Sequence, residues 1–396
     1  MADCQAVGAG TAARWGAVGS MTLCVALLIA SEFMPVSLLT PMAQDLAVSE
    51  GVAGLAVAVS GLFAVVTSLL AASVGSKFDR RHVLMTLSGT MVVSLALAAA
   101  APNFPVLMVA RALLGVTIGG FWSLSTATVM RLVPQEAIPK AMGILYLGNA
   151  IATAFAAPIG SYLGGVIGWR GVFWLLVPLA TATLAWQWAS LPSMRSRPVP
   201  LTRVLGLLKR RNVVTAMLGL TFTFGGAMGT FAYFRPFLES RTHVTLPQLS
   251  LMLLGLGAAG FAGTAIATAL LKKHLYRLLR GLPLALAVVT LAMLALGNVT
   301  WAVAATLVAW GTLNSAVPVS WFNWLALGIR DEPEAGGGLM VAAIQLAIMG
   351  GTALGGVLLD HYSIGTTFIA GAALLVLASV TVGCGTRLQP IPAARS

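Results

Sequence analysis

Charge is what this 396-residue sequence has least of: Asp, Glu, Lys and Arg together make up 9% of it. A globular surface of this size needs far more charge to be solvated, which excludes a soluble protein. Acids are scarcer than bases, 11 against 23. Cys4, Cys24 and Cys384 are the cysteines, too few and too scattered for a disulfide or metal framework. His82, His243, His274 and His361 fall at the ends of apolar runs or in loops and make no metal-ligand spacing. There is no Gly-rich phosphate loop and no hydrophilic domain to hold a nucleotide, so an enzyme or an ATP-driven pump is disfavoured. Segments of roughly ten residues with period-two alternation are also missing, which excludes a membrane β-barrel.

What is present is apolar sequence. Hydrophobic residues make up 58% of the chain and the mean hydropathy is +0.93. The apolar runs are about 20 residues long, the length that crosses a ~30 Å hydrocarbon core at 1.5 Å per residue. Twelve such runs predict an all-α membrane protein. The net charge of +12 follows from topology. Of the 23 Lys and Arg, 19 fall at one set of span ends and loops, leaving Arg111, Arg170, Arg235 and Arg241. This is the positive-inside pattern with both termini in the cytoplasm. Basic residues that flank spans form no nucleic-acid-binding domain. The first run is too long for the apolar region of a cleaved signal peptide.

The longest polar break, Leu191 to Arg211, carries six basic residues and no acid. It predicts a cytoplasmic linker, 191–211, between six-helix bundles at 1–190 and 212–396. Leu201, Val204, Leu205 and Leu208 recur within it at helical spacing, which suits a short amphipathic helix on the inner leaflet or a simple tether. Spans 5 and 6 are separated by the turn Gly168-Trp169-Arg170-Gly171. Glu32-Phe33-Met34-Pro35 in span 1 is echoed by Tyr233-Phe234-Arg235-Pro236 in span 7, and Gly160 with Phe173 is echoed by Gly355 with Phe368. Such echoes suit two pseudo-repeats around a midplane cavity.

Glu32 is the charged residue between Trp15 and Leu39. An acid inside a span is costly and tends to face a cavity or partner and carry a function. Counting along the helix puts it ~21 Å from the inner surface, and Arg111 of span 4 ~10 Å below the outer one, so the two share a level. Desolvation disfavours a charge there and a guanidinium favours it, a balance suited to loading and releasing a proton. The alternative is an ion pair that locks spans 1 and 4. Arg235, before Pro236, attracts a polar substrate group, pairs with Glu239, or snorkels to the interface. Polar and aromatic residues within spans supply candidate substrate contacts: Trp122, Tyr233, Asn314, Ser320, Trp321 and Asn323, with Gln345 on span 11. Indoles stack on a flat heterocycle while amides and hydroxyls read its edge.

The 6+6 layout, the Phe78-Asp79-Arg80-Arg81 turn, Arg111 with Gly115, and Pro158-Ile159-Gly160 resemble the major facilitator superfamily over essentially the whole chain. The resemblance narrows to its proton-antiporting efflux branch. The stretch Glu32 to Leu46, Gly119-Gly120-Phe121-Trp122 and Val317-Pro318-Val319-Ser320-Trp321 are similar to the exporters of purine ribonucleosides. This implies a bacterial inner-membrane antiporter that takes a small-molecule substrate and protons, needs no cofactor and works as a monomer. It also implies proton coupling at Glu32 and Arg111 and gating at Gly75, Asp79, Arg80, Arg81, Pro158 and Gly160. Drug or sugar efflux is the alternative within transporters, and a receptor or sensor the alternative outside them. The family pattern Gly-x-x-x-Asp-Arg-x-Gly-Arg-Arg is shortened here, since Arg81-His82 follows Arg80 at once.

Overall fold

The computed structural model describes residues 13–74, 78–194, 201–329 and 331–389, and the regular elements among them are all helical. In a bilayer each backbone polar group must be satisfied within its own segment, so apolar runs of this length become helices. The first half comprises α1 (Trp15–Asp45), α2 (Glu50–Val74), α3 (Arg80–Ala99), α4 (Phe104–Leu132) and α5 (Ile138–Ser190). The short α6 (Leu201–Gly206) leads to α7 (Arg211–Phe231), α8 (Phe234–Ser240), α9 (Leu246–Ala295), α10 (Thr300–Gly328), α11 (Pro333–His361) and α12 (Ile364–Val382). Gly75, a predicted gating residue, lies outside the described residues, as do Lys77, Arg195, Arg197, Arg330, Arg395 and Cys4.

Among the described residues, eleven segments are long and apolar enough to cross a membrane. One of them, within α5, is double. It reverses at Gly168, whose φ of +73° is a conformation that glycine adopts without steric cost. Before that point Gly148, Gly160 and Gly164 meet Thr22, Ser37 and Leu38 of α1 in ascending order. After it Trp169 bonds Asp45, and Trp186 packs beside Gly19. The helix α9 breaks likewise at His274 (φ −133°, ψ 27°). The twelve predicted crossings are therefore present, and the turn expected over 168–171 contracts to one non-helical residue, Gly168.

The two halves pack alike. Gly160 lets α5 approach Met34 and Ser37 of α1, and Gly355 lets α11 approach Tyr233 and the backbone of Gly229 beside α7. Span 5 on span 1 thus corresponds to span 11 on span 7, as the sequence echo predicts. Each half has its own apolar core. The linker is divided between them: Leu191 and Met194 join the first core, Val204 and Leu207 the second. The halves meet along α2 with α11 and along α5 with α9. These are the same contact with the halves exchanged.

The turn before α3 is fastened inside the first half. Asp79 accepts bonds from Arg81 N at 2.8 Å, Met194 N at 3.0 Å and Ser193 Oγ. Arg80 N donates to Met194 O at 3.0 Å, and Arg81 Nη2 to Trp188 O at 2.7 Å. Partial burial pushes the Asp79 carboxyl up, but the bonds from Met194, Ser193 and Arg81 outweigh it and hold the group below its ordinary value. A depressed carboxylate stabilises the fold above its unfolded pKa, and that stability is lost as pH falls through the folded value. Asp79→Ala should cost about 1 kcal/mol in detergent at neutral pH, the value of a helix N-cap. The gap in melting midpoint between variant and wild type should narrow below about pH 4; a constant gap there would contradict this account.

Candidate functional site

Helix α1 runs unbroken through Pro35 and Pro41. A proline has no N–H, so the carbonyl four residues earlier loses its helical donor. For these two prolines the stranded groups are Ser31 C=O and Ser37 C=O. Both are claimed by arginines. Arg111 of α4 donates through Nη1 to Ser31 O at 2.7 Å, and Arg235 of α8 donates through Nη1 to Ser37 O.

Arg111 is 1% exposed, and each of its three nitrogens donates within the first half. Its Nε reaches Ala56 O at 2.7 Å, and its Nη2 reaches Ser60 Oγ at 3.2 Å and the main-chain O of Glu32 at 3.4 Å. The predicted shared level of Glu32 and Arg111 is therefore observed, but the locking ion pair is not. Among the described residues no Lys or Arg nitrogen lies within 4.0 Å of the Glu32 carboxylate. The reason is that the guanidinium is spent on carbonyls.

The Glu32 carboxylate, 3% exposed, turns instead to the other half, where Gln345 Nε2 of α11 donates to its Oε1 at 3.3 Å. Next to it Phe33 meets Phe231 of α7 edge-on, with centroids 5.8 Å apart. The acid thus sits where the halves touch.

At the end of the bundle away from the termini the halves are shut against each other. Tyr233, fully buried, donates to Thr352 O at 2.8 Å, and its hydroxyl end occupies the space left by Gly54 and Gly356. Asp360 of α11 accepts from Gly51 N at 3.0 Å and from Ser49 Oγ, so it satisfies the start of α2 from across the interface. Arg235, 8% exposed, pairs with Glu239 at 2.8 Å while it holds Ser37 O. Of the readings open for Arg235, pairing is present and snorkelling is not. Pro158 strands Ala154 C=O, which faces Gly257 of α9 so closely that a Cβ there would overlap it.

The other predicted contacts are less gathered. Trp122 is half-buried and stacks on Tyr146 of α5 at 6.0 Å, and Tyr146 lies 6.1 Å from Phe322 of α10. This aromatic series joins the two halves. Tyr146 and Phe322 were missed because nothing in their sequence context separates them from lipid-facing aromatics. Ser320 donates back to Ala316 O at 2.8 Å, and Trp321 packs between Trp324 and Gly219 inside the second half. Asn314 is half-buried and Asn323 exposed, and neither is hydrogen-bonded to Glu32. The stranded carbonyls were legible, since each lies four residues before a proline.

The sequence profile of the Major Facilitator Superfamily matches residues 21–337. The chain belongs to that superfamily. It is 45% identical over 370 residues, 92% of each chain, to the transcription regulatory protein OpdE of Pseudomonas aeruginosa. It is 36% identical over 379 residues, 96% of each chain, to the purine ribonucleoside efflux pump NepI of Salmonella paratyphi C. A solved bacterial homolog of the human lysosomal transporter Spinster, in an inward-facing and occupied conformation, shares the fold. It superposes with a TM-score of 0.78 at 15% identity, over 97% of this chain and 100% of that one. The protein is therefore a multi-pass membrane protein of a transporter family.

The carbonyl account predicts a thermodynamic coupling between Arg111 and Pro35. Arg111→Leu should destabilise by about 2–3 kcal/mol, since Ser31 and Ala56 lose a buried donor. In a Pro35→Ala background the restored backbone N–H can serve Ser31 O, and the added cost should fall by about 1 kcal/mol. Detergent melting of the four proteins measures both; an equal cost in either background would refute the pairing.

Proposed function

We propose that the protein exports a small planar solute of the purine ribonucleoside class from the cytoplasm in exchange for protons, by alternating access of its two halves. The observation that carries this reading is the placement of Glu32: a buried carboxylate at the contact between halves, with no ion pair among the described residues to fix its charge. Such a group can take a proton from one side and release it to the other, provided the halves move and water reaches it in turn. Arg111 is the fixed positive charge nearby, held in place by its carbonyls. The series Trp122, Tyr146 and Phe322 offers faces for a flat heterocycle. Asn314, Ser320, Trp321 and Asn323 of α10 would take part only after rearrangement. Tyr233 and Arg235 would act through closure of the far end. The reading places the chain in a bacterial inner membrane with both termini cytoplasmic, as a monomer driven by the proton gradient without a cofactor or a nucleic-acid partner.

The name of the 36% identical relative supports a nucleoside substrate. The name of the 45% identical relative favours a second reading, a membrane sensor that binds a ligand and affects gene expression. Inside-out vesicles separate the two. Labelled inosine should accumulate when the lumen is acidified, and Glu32→Gln should reduce that accumulation to the level of vesicles without the protein. Saturable inosine binding without accumulation would favour the sensor. Accumulation that stays equally pH-dependent in Glu32→Gln would remove Glu32 from the proton step.

A further inference from the structure

We infer that Gln345 is the positioning residue through which the second half reads the charge on Glu32. The inference rests on the proton role proposed for that acid, and it adds the element that would turn proton loading into movement. Glu32 and Gln345 are 3% and 4% exposed, come from opposite halves, and are joined at 3.3 Å. Arg111 cannot serve as the reader, because it belongs to the same half as Glu32 and its nitrogens are bound to Ala56, Ser31 and Ser60.

The chemistry of an amide suits the task. It donates N–H to a carboxylate, and after a 180° flip its oxygen accepts the O–H of a carboxylic acid. Either state of Glu32 is satisfied, so neither is trapped. The bond to the ionised state is about twice as strong as that to the neutral one. A lysine at this position would pin Glu32 as an anion, and a leucine would be blind to it. The proton that arrives resides on a Glu32 oxygen, and the only other change is which end of the amide faces it.

The backbone fixes where the amide stands. Gly61 of α2 lies against Gln345 so closely that a Cβ on it would be 2.9 Å from Gln345 O. The backbone that carries the amide therefore lies on the surface along which α2 and α11 meet. The same two helices hold the far end shut through Asp360, Gly51 and Ser49. Ionised Glu32 supports that closure through Gln345, and protonation weakens the support at mid-membrane. The carboxylates at the far end also bear on its closure, so the effect is read against Glu32→Gln. Arg111 of α4 acts on Glu32 directly. Glu50 of α2, Arg235 and Glu239 of α8 and Asp360 of α11 are at the far end, and Lys140 and Arg170 flank the first crossing of α5.

The test needs no knowledge of the substrate. Spin labels at Gln44→Cys and Tyr362→Cys, both exposed at the far end on opposite halves, report its opening in nanodiscs once Cys4, Cys24 and Cys384 are replaced. In wild type, acidification should shift the closed-to-open ratio toward open by about tenfold more than in Glu32→Gln, the factor by which a charge-assisted bond exceeds a neutral one. In Gln345→Leu the pH shift should fall to that of Glu32→Gln, and Glu32→Gln with Gln345→Leu should show the same pH shift as Glu32→Gln alone. Should Gln345→Leu fail to fold, Gln345→Asn, one methylene too short to reach, is read by the same criteria. A Gln345 variant with the wild-type pH response overturns the inference, as does an additive double variant. If Glu32→Gln itself keeps the wild-type response, it is the proton role of Glu32 that falls.

Discussion

Two carbonyls of α1 have no helical donor, and the way they are satisfied governs the rest of the site. In hydrocarbon an unpaired backbone group costs several kcal/mol, so Pro35 and Pro41 each demand a donor from outside the helix. Arg111 answers the first from within its own half, and Arg235 answers the second from across the interface. The first bond joins α1 to α4 inside one half. The second ties α1 to α8, across the halves, at the closed far end. One helix thus carries an attachment within its half and one across the halves, six residues apart in sequence, at Ser31 and Ser37.

The same constraint frees the acid. Because the Arg111 guanidinium is committed to carbonyls, the Glu32 carboxylate is left to Gln345 and to whatever enters the space between the halves. A direct ion pair would have fixed the charge and bound α1 to α4, with no consequence for the other half. As built, the charge of one half is exposed to the other. The pseudo-symmetry makes the contrast plain: the position of Glu32 in the first repeat is taken in the second by Tyr233, whose hydroxyl is satisfied by Thr352 O. The repeats supply matching frames, and of these two positions only the first carries a carboxylate.

Some of this was legible from residue order, because it depends on quantities that run along a chain. Span number follows from apolar length, the division into halves from the basic break at 191–211, and the shared depth of Glu32 and Arg111 from rise per residue. The packing of Gly160 and Gly355 was foreshadowed by their matched spacing to Phe173 and Phe368. Other positions were not legible, for a common reason. Trp321 and Ser320 are as polar and as deep as a substrate contact should be, yet they face their own bundle. Tyr146 and Phe322 face across the halves without any local mark. Which side of a helix looks inward depends on rotation about its axis, and these helices are apolar all round.

The sequence by itself determined a twelve-crossing bundle in two halves, an isolated acid in its first helix, and two prolines that strand carbonyls beside it. Those are consequences of composition, length and covalent chemistry. Only the tertiary structure decided who answers them: that Arg111 spends itself on backbone, that Arg235 reaches across to Ser37, and that Gln345, 313 residues away, meets Glu32. Partner choice is a matter of distance and direction in three dimensions, and a buried donor goes to whichever acceptor the packing brings within about 3 Å.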